Sequence, residues 1–383
     1  MKRTFSAFTS QSVRSQTFTS ATQSYSMLFG VVSCMVLVIF LFSCGSVPLI
    51  HRETALDKES ALPPPHYSMV FIIHGDGDYL YHDVSGHAHR ADEEALFGAI
   101  RVAEQNPQTE VFIFHQRPRR HTLFFFPRRD GKVYYYRYGR LLAEESYWRD
   151  QGPSRFDPEV ALYHRFHAGE QHQLVRLFLY FGHQIPEFDR AGYDASYPKK
   201  TFMVHELADG LKRITCDSTK FDIIVLSTCF GGTPHIIAAL APYARTIVAS
   251  PDNLHLSYFD LRPFERLDVD LRDGDVAGFA KNFARQAFER LTEDIQTAVT
   301  VAVYDVDRVQ EYVHAVDSVY NYALATLNGQ KPGSFEHCDC AEDSAYALPG
   351  MSAGVDVFYR PPRFGRSKNK QNHSGWECPR LFK

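Results

Sequence analysis

Acidic residues are missing from the start of this chain: none precedes Glu53. Lys2, Arg3 and Arg14 instead lead into an apolar run over 27–42. A positive region, an apolar core and then small residues form the pattern of a secretory signal, and the run is short for a full membrane crossing. Cysteine is also scarce. There are seven in 383 residues, and Cys34 and Cys44 lie in the leader. That number excludes a disulfide framework. Export still permits isolated bridges, so Cys338 or Cys340 can pair with Cys216 or Cys378. Neither sign of charge dominates, with a formal net charge of -4. No basic patch interleaved with aromatics is present, which argues against nucleic-acid binding. Internal repeats are absent. Aromatics are not lacking: 30 Phe and 21 Tyr suit a packed body and exclude a disordered chain.

The segment 45–65 has the Pro63-Pro64-Pro65 run and few apolar residues, as expected of a tether. Beyond it, apolar runs and helical spacings alternate. Strands are expected over 68–73, 110–115, 174–180, 221–228, 246–249 and 298–303. Helices are expected over 91–104, 158–172, 201–214, 234–243, 276–291 and 307–327. A hairpin is expected from 121–126 and 132–138, turning near Asp130-Gly131. This alternation predicts an α/β sheet with helices on both faces. The tail after Pro361 is polar and basic and is expected to be loosely ordered. The resulting division is a leader (1–44), a tether (45–65), a folded domain (66–330) and a C-terminal extension (331–383).

The chemistry centres on FDIIVLSTCFGGTP at 221–234. A buried strand there delivers Cys229 to the carboxyl edge of a sheet, where α/β proteins place their sites. The strand over 174–180 likewise delivers His183. A thiol and an imidazole at strand ends can perform acyl transfer if backbone amides hold the oxyanion. By strand position alone, Cys229 is equally well read as a structural cysteine. Other motifs are weaker. Gly350-Met-Ser-Ala-Gly354 has the spacing of a serine-hydrolase elbow, but no helix is expected after it. His87 and His89, and the His337–Cys340 cluster, have no second ligand pair of the kind a structural zinc site needs. Asp268, Asp270, Asp273 and Asp275 are carboxylate-rich without EF-hand spacing.

The leader's LFSCG at 41–45 resembles the bacterial lipoprotein signal box, which implies lipidation at Cys44 and a place in the bacterial cell envelope. Residues 221–234, the helix ending Tyr243-Ala244, the strand ending Val248-Ala249-Ser250, and Tyr258 resemble the catalytic region of the clostripain family of cysteine peptidases. The interval from His183 to Cys229 fits that family, as do the His74–Asp78 loop and the strand at 300–306. The resemblance covers about residues 66–327. It implies a caspase-like α/β/α sandwich with a mostly parallel central sheet and an edge hairpin. Cys229 would be the nucleophile and His183 the proton donor to the leaving amine. The amides of Cys229 and Gln184 would form the oxyanion hole. The family cleaves after Arg or Lys, and Ser227, Asp252 and Asp260 are the pocket candidates. The sequence departs from the family's pattern in three places: Gln184 replaces a glycine, Ser227 replaces an aspartate, and the segment 251–257 after Ser250 has none of the family's usual acidic and glycine-rich wording. No metal is expected, although Ca²⁺, which some relatives use, stays open. The expected function is an envelope-tethered cysteine endopeptidase with a peptide or protein substrate. The alternative is a catalytically inactive caspase-like lipoprotein that binds a partner.

Overall fold

The computed structural model describes residues 64–380 apart from 83–84, 123–125, 168, 170–173, 188–193, 199–201, 217–218, 255–257, 272–273 and 328–335. The leader, Cys44 and almost all of the tether lie outside the described residues. Among those described, no helix is long and apolar enough to cross a membrane.

Strand β1 (Tyr67–His74) is buried at all eight positions. Successive side chains of a strand point to opposite faces, so a strand covered on both faces reads as one continuous apolar run. Val70 and Ile72 enter one core, and Met69, Phe71 and Ile73 enter the other. The sheet continues with β2 (Thr109–Gln116), β3 (Gly131–Arg137), β4 (Arg140–Tyr147), β5 (Val175–Phe181), β6 (Phe221–Ser227), β7 (Ala244–Ala249), β8 (Val299–Asp305) and β9 (Val355–Arg360). Its spatial order is β9-β8-β7-β6-β5-β1-β2-β3-β4. The five strands from β7 to β2 are parallel, and the two pairings beyond them at each edge are antiparallel.

Helices α1 (Ala91–Gln105) and α5 (Val276–Asp294) pack on one face. Helices α2 (Asp157–Phe166), α3 (Val204–Thr215), α4 (Pro234–Leu240) and α6 (Val306–Leu327) pack on the other. The expected α/β/α sandwich with a mostly parallel sheet is therefore observed.

Two expectations are corrected. The edge hairpin exists, but it is β3–β4, and its two-residue turn is Tyr138-Gly139, with φ of 55° and 70°. Those values suit a type I′ turn. Gly131 does not turn the chain. It opens β3, where an added Cβ would lie 2.3 Å from the Tyr147 ring. Asp130 is buried and accepts hydrogen bonds from the Arg149 amide and the Tyr197 hydroxyl. Residues 121–122 and 126–127 pair in a separate two-residue ladder.

The second correction concerns the C-terminus. The domain does not stop at 330, because β9 joins the sheet beside β8 and residues 63–383 form one compact unit. The polar tail is docked as well. Trp376, Glu377 and Cys378 are buried, Cys338 and Cys378 face each other across a short ladder, and a Cys340–Cys378 disulfide closes the segment. A few large apolar side chains and one covalent bond outweigh the polar average of the sequence around them.

Candidate active site

The carboxyl edges of β5 and β6 build the site. These strands are parallel neighbours, with Phe181 in register with Ser227. Adjacent strands lie about 4.8 Å apart. His183 and Cys229 each follow their register partner by two residues, so the two backbones leave the edge side by side. The Gly182 amide hydrogen-bonds the Ser227 carbonyl at 3.4 Å, which extends the pairing past the strand ends.

Cys229 is half-buried and is not part of a disulfide. Its Sγ donates to Asn253 Oδ1 at 3.0 Å and accepts the Leu254 amide at 3.3 Å. The next residue, Phe230, has φ 53°, a left-handed conformation rare for an aromatic residue. Such strain persists only where surroundings impose it, and it gathers at functional sites. Here the Phe230 amide donates to the Asp252 carbonyl at 3.2 Å, and its ring stacks on His337 at 4.2 Å. Helix α4 starts just beyond. Its Ile236 amide is capped by Thr233 Oγ1 rather than directed at the sulfur.

The His183 ring stacks on Tyr79 with centroids 4.5 Å apart. Burial lowers the imidazole's proton affinity below its ordinary value, against an opposing pull from Asp78. Among the described non-glycine residues, only Tyr138, Cys216 and Phe230 have positive φ. Gln184 therefore occupies ordinary backbone space, and its replacement of a glycine brings no strain.

Each pocket candidate has contacts of its own. Ser227 is buried, and its hydroxyl accepts the Phe259 amide at 3.0 Å, so it anchors the following loop. The Asp252 carboxylate is bonded by Thr300 Oγ1 and faces His373 and Glu377. Asp260 is bound by the Arg262 guanidinium at 2.5 Å. Both aspartates thus have structural partners.

The remaining motifs resolve similarly. His337 stacks on Phe230, and Cys340 is in the disulfide, so the 337–340 cluster is not a metal site. His89 pairs with Glu94 at 3.0 Å. In the Gly350–Gly354 segment, the Met351 carbonyl accepts the Trp376 indole, and strand β9 follows directly rather than a helix. Asp275 caps α5 through the Gly278 amide. Asp273 and the Asp268 side chain lie outside the described residues.

Asp252, His373 and Glu377 do bring potential ligand atoms within 4.8 Å of one another. However, His373 Nδ1 accepts the Gly375 amide at 3.0 Å. A lone pair on Nδ1 puts the ring proton on Nε2, and Nε2 is the nitrogen 3.6 Å from Glu377. That nitrogen is then a donor, and the donor set fits a hydrogen-bonded acid–imidazole cluster rather than a cation.

Sequence reasoning missed Asn253, Phe230 and Tyr79. Asn253 carries no local signal, because its role depends on a loop folding back over the sulfur. Tyr79 sits in the loop after β1, where the residues singled out were His74–Asp78.

Residues 183–354 match the model of the clostripain family (Peptidase_C11). No curated protein matches the chain in sequence. Among solved structures, an inactive zymogen C11 protease from Parabacteroides distasonis is similar, with TM-score 0.51, 15% identity, and 82% of this chain and 92% of that chain covered. A secreted C11 cysteine protease from Bacteroides thetaiotaomicron, in complex with an irreversible peptide inhibitor, aligns with TM-score 0.47 and 10% identity, over 66% of this chain and 69% of that chain. The first of these likenesses shows the fold, a caspase-like arrangement shared with C11 proteases.

Proposed function

We propose, on the premise that residues 183–354 are clostripain-family sequence, that the chain is a cysteine endopeptidase acting through Cys229 and His183. The observation that carries this reading is the shared exit of the thiol and the imidazole from neighbouring parallel strands at the same offset from a register pair. His183 takes the Cys229 thiol proton as the sulfur attacks the acyl carbon of a peptide, and the C–N bond then breaks. The leaving amine takes a proton from the His183 imidazole, and water then releases the acyl group from sulfur. The amides of Cys229 and Gln184 would receive the oxyanion. With Asp252 and Asp260 otherwise bound and serine at 227, cleavage after Arg or Lys is not part of the proposal. The polypeptide substrate class is. No cofactor is invoked.

A peptidyl electrophile reactive toward thiols is expected to label the wild-type chain at Cys229 and to leave Cys229→Ala unlabelled. His183→Ala is expected to lower peptide turnover by about 10²–10⁴-fold, the usual contribution of a general acid–base group. Absence of labelling, together with turnover indifferent to both substitutions, would leave a binding module of the same fold.

The chain is further proposed to be exported and lipid-anchored at Cys44 in a bacterial envelope, on the strength of the leader pattern. Cys44→Ser is expected to move the protein from the membrane to the soluble fraction in a cell fractionation. Unchanged membrane retention would refute the lipid anchor.

A further inference from the structure

We propose that Tyr79 is a positioning residue for His183, holding both its ring and its backbone at the edge of the sheet. The contact is double. The Tyr79 ring lies against the imidazole face at 4.5 Å with the planes 21° apart, and the Tyr79 hydroxyl oxygen accepts the His183 backbone amide at 3.1 Å. One side chain therefore restrains the ring's tilt and the position of the peptide that carries it.

Tyr79 is itself locked. It is buried, its ring packs on Phe181 at the end of β5, and its hydroxyl lies 3.0 Å from His74 Nδ1 at the end of β1. On its other side, His74 presents Nε2 to Asp194 at 3.8 Å. An anion facing Nε2 favours the proton there and leaves the Nδ1 lone pair to accept the Tyr79 hydroxyl. Burial keeps His74 neutral by pushing it down to about 4, and it keeps the Tyr79 hydroxyl protonated. The donors and acceptors are then consistent along the row: His74 Nε2–H toward Asp194, Tyr79 O–H to His74 Nδ1, and His183 N–H to the Tyr79 oxygen. Gly77 closes the imidazole's edge, since a Cβ there would come within 2.8 Å of Cδ2 and Nε2 of His183. A ring held on one face and one edge has few other orientations, which is the preorganisation a catalytic imidazole needs.

The kinetic consequence rests on the peptidase reading, whereas the geometry does not, so two measurements separate them. In turnover of a peptide substrate, Tyr79→Phe keeps the ring, loses the hydroxyl, and is expected to lower kcat about 10-fold, the worth of one hydrogen bond. Tyr79→Leu loses both contacts and is expected to lower kcat about 10²-fold. KM should stay within about twofold in both, because an orienting group acts on the chemical step rather than on binding. In a Cys229→Ala background, where no activity is needed, the His183 ring titration followed by NMR should move up toward the ordinary histidine value in Tyr79→Leu, as the stacked ring that buries it is removed.

Wild-type turnover with kcat unchanged in both variants would overturn the positioning role. So would a loss that merely tracks the unfolded fraction in a thermal melt, or an unmoved His183 titration. The near-isosteric Tyr79→Phe decides the matter if Tyr79→Leu does not fold. A wild-type chain that neither turns over peptides nor labels at Cys229, but shows the titration shift, would sink the peptidase reading and leave the geometric one standing.

Discussion

Trp376→Ala is expected to destabilise the folded body by about 3–5 kcal/mol, the cost of emptying a buried tryptophan site. The indole is fully buried, packs on the rings of Tyr304 and Tyr312 at 4.7 and 5.0 Å, and donates to the Met351 carbonyl at 2.7 Å. The Cys340–Cys378 bridge closes a 38-residue separation around it. In the chain-entropy account, a loop of that length is worth about 4 kcal/mol, so Cys378→Ser belongs in the same range. The effect should reach the candidate site. The Glu377 amide donates to the Gly232 carbonyl at 3.2 Å, and His337 stacks on Phe230. Both contacts brace the turn behind Cys229, including the residue held at positive φ. Urea denaturation of the oxidised protein gives the stability change, and peptide turnover well below the melting point gives the coupling. A loss under about 1 kcal/mol would mean that the extension is not part of the cooperative unit. Full stability loss with wild-type turnover would mean that it does not brace the site.

Arg149→Met should be about as severe, for a different reason. The Arg149 guanidinium is buried and binds Asp76 at 2.6 Å and Asp194 at 2.5 Å, and Arg155 also binds Asp194. Removing one member of such a cluster strands the buried carboxylates, at a cost of about 3–5 kcal/mol. The pH dependence identifies the mechanism. Burial pushes the Asp194 carboxyl up, but hydrogen bonds with His74 and Asp76 and the charges of Arg149 and Arg155 outweigh it, holding the group below the usual carboxylate range. A folded-state value below the unfolded one contributes stability that is present above about pH 4 and lost as pH falls through the folded value. Without Arg149 that contribution shrinks, with only His74, Asp76 and Arg155 left to support it, and the carboxyls can protonate instead. The stability gap between wild type and variant should therefore be widest near neutrality and narrow below about pH 4. Stability curves for both proteins across that range provide the check. A gap independent of pH would show that packing, not charge, is what Arg149 supplies.

The layered fold was legible because each level of the sequence agreed with the next. A run such as residues 69–73 is apolar at every position, which suits a strand covered on both faces, and helical spacings fall between such runs. The hairpin was misplaced because Asp130-Gly131 has turn chemistry for another reason: Asp130 receives two long-range hydrogen bonds, and Gly131 makes room for the Tyr147 ring. Gly139 supplied the turn next to a tyrosine, a pairing that local preference does not favour. The docked C-terminus was missed because its holding contacts are few and distant: one indole, one disulfide and one strand pairing back across the sheet.

At the site, the strand ending in Cys229 and its counterpart ending in His183 were determined by sequence alone, because burial pattern and strand termination are local properties. Their placement side by side was not. It required the crossover that makes β5 and β6 parallel neighbours, and nothing between residues 181 and 221 encodes that pairing locally. The same holds for every side chain that touches them. Asn253 and the Leu254 amide reach the sulfur from the loop after β7, and Tyr79 reaches His183 from the loop after β1. Asp252 was a sensible pocket residue by proximity in sequence, yet its carboxylate is bound by Thr300, 48 positions away. Sequence determined which residues have reactive chemistry and which strands present them. Only the tertiary structure decided which groups surround them, because hydrogen bonds and ring contacts depend on separation in space, and a sheet brings together residues more than a hundred positions apart.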